Sequence, residues 1–170
     1  LGVMQSVSAL GMLAGSLYIG SLGKIKKYSV VLFVSLALSG AFFSLTGVTT
    51  NVYFIVAASF LFFCTLPFIN TCADVLIRTR IANESQGRAW GLIGTISQLG
   101  YLFAYGSAGV LADKFFSPLL LADGLLAETV GAVIGVGPGR GMGLMLILFG
   151  LLMLLIAASA YQSKAIARLG

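Results

Sequence analysis

The 21 residues from Gly141 to Tyr161, GMGLMLILFGLLMLLIAASAY, contain no charged side chain. At 1.5 Å per residue a helix of that run is about 32 Å long, the thickness of the hydrocarbon core of a bilayer. A second uncharged run, YSVVLFVSLALSGAFFSLTG from Tyr28 to Gly47, has the same property. Inside lipid no water is available to pair with backbone N–H and C=O groups, so only helices and closed barrels cross. Barrel strands read as segments of about ten residues with alternating polarity. These runs are continuous, and the chain is expected to be all-α, a polytopic membrane helix bundle.

The rest of the sequence agrees. Of 170 residues, 59% are hydrophobic and 9% are charged. Soluble domains average roughly 45–50% apolar and about 25% charged residues, and disordered chains are more polar still. Five hydrophobic segments, at 1–22, 29–47, 52–77, 90–112 and 141–161, are read as transmembrane helices. The first starts at Leu1 with no signal-peptide pattern and no initiator Met, so the sequence is expected to be a piece of a longer chain.

Five spans place the connecting segments alternately on two sides. One side takes Lys24, Lys26, Lys27, Arg78, Arg80, Arg88, Lys164 and Arg168; the other takes Lys114 and Arg140. Eight basic residues against two put the first side, with the C-terminus, in the cytoplasm. The net charge of +5 is thus a topology signal, and no soluble basic face exists to hold a nucleic acid. The segment at residues 113–140 lies outside by this count. Within it Leu119–Val136 reads as a short amphipathic surface helix or a re-entrant segment, with Asp123 and Glu128 toward water. The turn-rich Gly135–Gly143 lacks the Lys-Ser/Thr pair of a phosphate loop and follows no strand. Asn83-Glu84-Ser85 spells a glycosylation acceptor but falls on the cytoplasmic side, where that modification does not occur.

The segments differ in kind. The second and fifth are hydrophobic, small or hydroxylic through their middles and suited to face lipid. The first carries Gln5 with Ser6 and Ser8; the third, Asn70, Thr71 and Asp74; the fourth, Thr95, Ser97, Gln98, Tyr101 and Tyr105. Polar groups within a span normally face the bundle interior or a wet cavity. Pro67, Thr71, Asp74 and Arg78 share one helical side, as do Gly91, Gly94, Gln98, Tyr101 and Tyr105. Pro67 removes a backbone donor and loosens its helix. Ser8, Gly11 and Gly15 form a small strip that permits close helix contact.

Gln5, Asn70, Gln98, Tyr101 and Tyr105 are therefore substrate-cavity candidates, with interhelical hydrogen bonding as the alternative role of Asn70 and Gln98. Asp74, with Arg78 one turn on, reads either as a helix-end anchor or gate, or as a proton-coupling carboxylate. Cys64 and Cys72 read as small hydrophobes rather than a disulfide. With no His in the chain and no nucleophile beside a base, no catalytic, cofactor or metal-binding role is expected. The absence of an unpaired charge at mid-membrane favours a hydrophobic or weakly polar solute.

Several stretches resemble major facilitator superfamily transporters. GSLYIGSLGKIKKYSVVLF (Gly15–Phe33) is similar to the C-terminal-half copy of their Gly-rich cytoplasmic loop, but Lys24 follows Gly23 where an acidic residue is usual. NESQGRAWG (Asn83–Gly91) is similar to the E-x-x-G-R loop of their drug-efflux branch, giving Glu84, Gly87 and Arg88 a cytoplasmic-loop role in which Arg88 holds helix ends or Glu84. AYGSAGVLADKFFSPLLLADG followed by GVGPGRGMGLMLILFG resembles the end of macrolide-efflux members. The resemblance implies that the five segments are spans eight to twelve. It also implies that the ninth and twelfth, here the two uncharged segments, lie at the periphery. The expected function is then the C-terminal part of a secondary active exporter in a bacterial inner membrane. It would be a proton antiporter with alternating access, inactive without its N-terminal half. The alternative is a small membrane-integral interaction or anchoring subunit.

Overall fold

The computed structural model describes residues 2–162 except 24, 26, 122, 123, 125, 127 and 138. Lys24, Lys26, Asp123, Lys164 and Arg168 of the charge and loop readings lie outside the described residues. Among the described residues the elements are all helical: α1 (Gly2–Ser21), α2 (Tyr28–Val48), α3 (Val52–Arg80), α4 (Asn83–Val110), α5 (Ser117–Leu119), α6 (Gly131–Ile134) and α7 (Arg140–Gln162). A π-helical turn, Leu111–Phe116, continues α4. Four of the helices, α1, α2, α3 and α7, are long and apolar enough to cross a membrane. α4 has the length, 28 residues, but its glycines, tyrosines and Gln98 dilute its apolar surface and it is not among the four.

The long helices overlap the hydrophobic segments, and they differ most at the start of the fourth. α4 begins at Asn83 rather than near residue 90. The stretch Asn83–Ala89 is polar but free of proline, and a helix extends readily beyond the hydrocarbon that its apolar part requires. Glu84, Gly87 and Arg88 consequently sit on the first turns of α4, and the connection from α3 shrinks to Ile81 and Ala82. α3 runs unbroken through Pro67, which is buried.

The chain divides into two compact units, Leu1–Asp74 with Gly143–Gly170, and Val75–Met142. The first is held by glycines. A Cβ added at Gly11 would collide with the carbonyl oxygen of Phe60, and one at Gly15 with that of Cys64. About one turn on, the Tyr18 and Phe68 rings lie 6.0 Å apart. α1 and α3 therefore run parallel in backbone contact along the Ser8–Gly11–Gly15 strip, all three of whose residues are buried. α2 and α7 make an antiparallel pair of the same kind. A Cβ at Gly40 would lie 2.7 Å from the Gly150 carbonyl oxygen, and one at Gly47 would collide with the Gly143 carbonyl oxygen. Between these points Ser44 Oγ donates to the carbonyl of Ile147 at 3.2 Å. α2 also meets α3 through Phe43 and Phe62, whose centroids are 5.3 Å apart. Apolar side chains gain nothing from one another that lipid tails do not offer, so close approach of small residues and interhelical hydrogen bonds hold such helices together.

In the second unit the segment after α4 folds on itself. Leu120 is fully buried, with Ala112 and Ile134. The Leu126 N–H donates to Leu119 O at 3.1 Å, Gly131 N–H to Leu126 O at 2.8 Å, and Gly137 N–H to Leu120 O at 3.0 Å. A continuous surface helix over Leu119–Val136 is not formed: its described residues are turns up to the four-residue α6. Gly135 closes α6 at φ +89°, a left-handed position that glycine adopts without strain.

The tight α2–α7 contact yields a mutational test. Gly47→Ala should destabilise the detergent-solubilised protein by about 1–3 kcal/mol through overpacking, whereas Gly100→Ala, which meets nothing within 4 Å, should be neutral or stabilising. Reversible unfolding in mixed detergent, followed by circular dichroism, reads both.

Candidate functional site

Many hydroxyls of the long helices are satisfied by their own helix. Ser6 Oγ donates to Gly2 O at 3.0 Å, Ser8 Oγ to Met4 O at 2.9 Å, and Thr95 Oγ1 to Gly91 O at 2.9 Å. The same back-bonding accounts for Thr65 and Ser107. This removes those groups from the set that needs a ligand, a partner or water. The amides, the tyrosines and one carboxylate remain.

Gln5 on α1 and Asn70 on α3 are exposed, and so are Gln98, Tyr101 and Tyr105 on α4; the two tyrosines are 60% and 84% accessible. Asp74 is half-buried and Arg78 exposed. Among the described residues Gln5, Asn70, Asp74 and Gln98 have no side-chain hydrogen-bond partner. An amide transferred from water into hydrocarbon without a partner costs several kcal/mol. Any of these groups that lies within hydrocarbon therefore requires something outside the described residues to pair with.

On α4 the structure brings part of the expected face together. Trp90, Gly91, Gly94, Gln98, Leu99 and Leu102 line a shallow open groove of about 590 Å³. No side chain rises from the two glycines, and Gln98 and Thr95 are the polar side chains of its lining apart from the Trp90 indole. Tyr101 and Tyr105 continue along α4 outside the groove. No residue of α4 is buried at all. Gln5, Asn70 and Asp74 belong to the first unit, with Gln98 and the tyrosines in the second. Within the first unit, Asn70 and Asp74 share α3 one turn apart. Cys64 and Cys72 are free thiols. Among the described residues no three His, Cys, Asp or Glu side chains gather as a metal ion would require.

At the α3–α4 corner the holding residue is Gln86, which the sequence reading did not single out. Its amide nitrogen lies within hydrogen-bond distance of the carbonyl oxygens of Arg78 and Ile81, both at 3.2 Å, and of Asn83 Oδ1 at 3.0 Å. It thus ties the last carbonyls of α3 to the first turn of α4, in place of a side-chain cap on Ala82. Glu84, Gly87 and Arg88 are exposed on the same turns. Only the position of Gln86, three residues after Asn83 at a polar helix start, hinted at this role.

No protein-family model matches the chain, and neither a curated protein nor a solved structure matches it.

Replacing Gln86 by Ala should weaken the corner by about 0.5–1.5 kcal/mol, the net contribution of a hydrogen bond. The check is hydrogen–deuterium exchange. Amides of residues 81–86 should exchange several-fold faster in Gln86→Ala, with α2 and α7 unchanged.

Proposed function

We propose that the chain is the C-terminal part of a secondary active transporter of the major facilitator type. It would export small hydrophobic or weakly polar solutes from a bacterial cell by proton antiport. The observation that carries the reading is the set of unpartnered amides: Gln5, Asn70 and Gln98 stand exposed on long helices, beside hydroxyls that their own backbones satisfy. Side chains of this kind on membrane helices normally line a wet pathway or meet a second protein layer. An α4 with no buried residue fits the same reading, since an opposing N-terminal half would cover it.

Helix direction supports five spans. α1 and α3 are parallel, α2 and α7 antiparallel, and α2 turns into α3 through Thr49–Asn51. α3 and α7 therefore point the same way, and Asp74 and Gly143 fall at opposite ends of the first unit. The five-span reading has the chain between them return across the bilayer. α4 is the element able to do so, because 28 residues make about 42 Å of helix. With α4 as a crossing, the eight basic residues counted above share one side, which supports a cytoplasmic C-terminus and a plasma-membrane location.

In the mechanism this supports, solute enters between two halves, is bound near the midplane and is released on the other side as the halves rock. Gln98 and Asn70 donate and accept hydrogen bonds to a weakly polar solute, and Tyr101 and Tyr105 offer ring faces to its apolar parts. Asp74 is the candidate coupling carboxylate or, with Arg78 one turn on along α3, a gate at the helix end. Glu84, Gly87 and Arg88 form the cytoplasmic corner that transmits the rocking.

The test is transport by the complete gene product in proteoliposomes carrying a proton gradient. Full-length protein should move hydrophobic drugs with the gradient, and the 170 residues alone should move none. Gln98→Ala should lower the transport rate about three- to tenfold, the loss of one hydrogen bond. Asp74→Asn should abolish gradient-driven transport while leaving solute binding intact, and Arg88→Ala should impair transport with normal insertion. Gradient-dependent efflux by the 170 residues alone, or wild-type rates in Asp74→Asn and Arg88→Ala together, would contradict the proposal. An upstream reading frame with six or seven more hydrophobic spans supports the transporter; a start codon close to Leu1 would favour a small membrane-integral subunit instead.

A further inference from the structure

Within the first unit, the cleft between α2 and α7 opens into an apolar groove of about 660 Å³. Phe33, Val34, Leu151, Leu155 and Tyr161 form its walls, and Ala37 and Ala158 leave the space between them. Its volume falls in the range of sites that hold small molecules. The glycines through which α2 and α7 approach each other, Gly40, Gly47, Gly143 and Gly150, are already engaged with one another. The groove lies beyond them, toward the N-terminus of α2 and the C-terminus of α7. Its walls are bulky aliphatic and aromatic side chains around Ala37, Ala157 and Ala158, and no glycine of the kind that seats one helix on another is among them. A flexible chain of methylenes fits such a channel better than a helix does.

The end of the groove has a charge. Lys27 is exposed and immediately precedes α2. Phe33, the first groove residue, is six positions further along, about 9 Å up the helix. Basic residues at the mouth of an intramembrane cleft attract anionic headgroups.

We propose that this groove binds one acyl chain of an anionic phospholipid, with the lipid phosphate held by Lys27 at its mouth. The site depends on α2 and α7 lying in a bilayer and not on any transport activity, so it stands or falls separately from the function proposed above.

Native mass spectrometry of the full chain in neutral detergent tests it. The chain is titrated with phosphatidylglycerol and with phosphatidylcholine of the same acyl composition. Phosphatidylglycerol should occupy one site at least about fivefold more tightly, the contribution of roughly one lysine to an anionic headgroup. Ala158→Phe, which fills the groove, should weaken that site at least about tenfold for phosphatidylglycerol. Lys27→Gln, an exposed change that leaves the helix contacts alone, should bring the two lipids to equal affinity. Equal binding of both lipids by the parent chain, or unchanged preference in Lys27→Gln, overturns the proposal. Undiminished phosphatidylglycerol binding by a helical Ala158→Phe does so as well.

Discussion

Backbone-to-backbone contact through glycine is the constraint on which the rest of this structure depends. In water, two helices bury apolar faces and gain from excluding solvent. In lipid that gain disappears, because a leucine is no better placed against another leucine than against an acyl chain. What remains is dispersion at very short range and a few interhelical hydrogen bonds. Gly11 and Gly15 bring α1 onto the carbonyls of α3; Gly40 and Gly47 bring α2 onto α7, where Ser44 bonds to Ile147. Any side chain larger than hydrogen at these positions would force the pairs apart and surrender the contacts on either side.

Those contacts have a consequence for polarity. Once the glycine seams are used to hold helix pairs together, the amides cannot also be buried there. Gln5 and Asn70 are left exposed on α1 and α3, and Gln98 lies exposed on α4, whose glycines meet no neighbour. The hydroxyls avoid the problem by bonding to carbonyls three or four residues back, which lets Ser8 lie inside the α1–α3 seam. A glutamine or asparagine has an NH₂ group and a carbonyl to satisfy and gains no such escape in the middle of a helix. Its presence on a spanning helix therefore points outward to a partner, whether water, solute or a second layer of protein.

Much of the architecture was legible in the sequence, for physical reasons. Long uncharged runs admit only one backbone arrangement in hydrocarbon, so α2 and α7 follow directly from Tyr28–Gly47 and Gly141–Tyr161. The strip Ser8–Gly11–Gly15 was readable because three small residues recur on one face. The seam between α2 and α7 was not, although Gly40 and Gly47, and Gly143 and Gly150, repeat at seven residues. Their surroundings are so apolar that a lipid-facing surface was the simpler expectation. The start of α4 was missed because polarity marks the edge of the hydrocarbon and not the end of a helix. The interval from Leu119 to Val136 has helix-forming residues but also Gly124, Gly131 and Gly135, and turns won. Gln86 was hidden because its partners are backbone carbonyls, which a sequence pattern does not display. For the site residues, the sequence located the polar groups on their helices but gave no information about what they face.

The central claim is that the unpartnered amides meet water within the membrane. It is tested most directly by thiol accessibility in the full-length protein, with Cys64 and Cys72 replaced by serine and single cysteines placed at residues 70, 98 and 156. A membrane-impermeant charged thiol reagent should label Asn70→Cys and Gln98→Cys in intact membranes, and leave Ile156→Cys, within the uncharged run of α7, unlabelled. Labelling of Ile156→Cys with both amide positions protected would contradict the account.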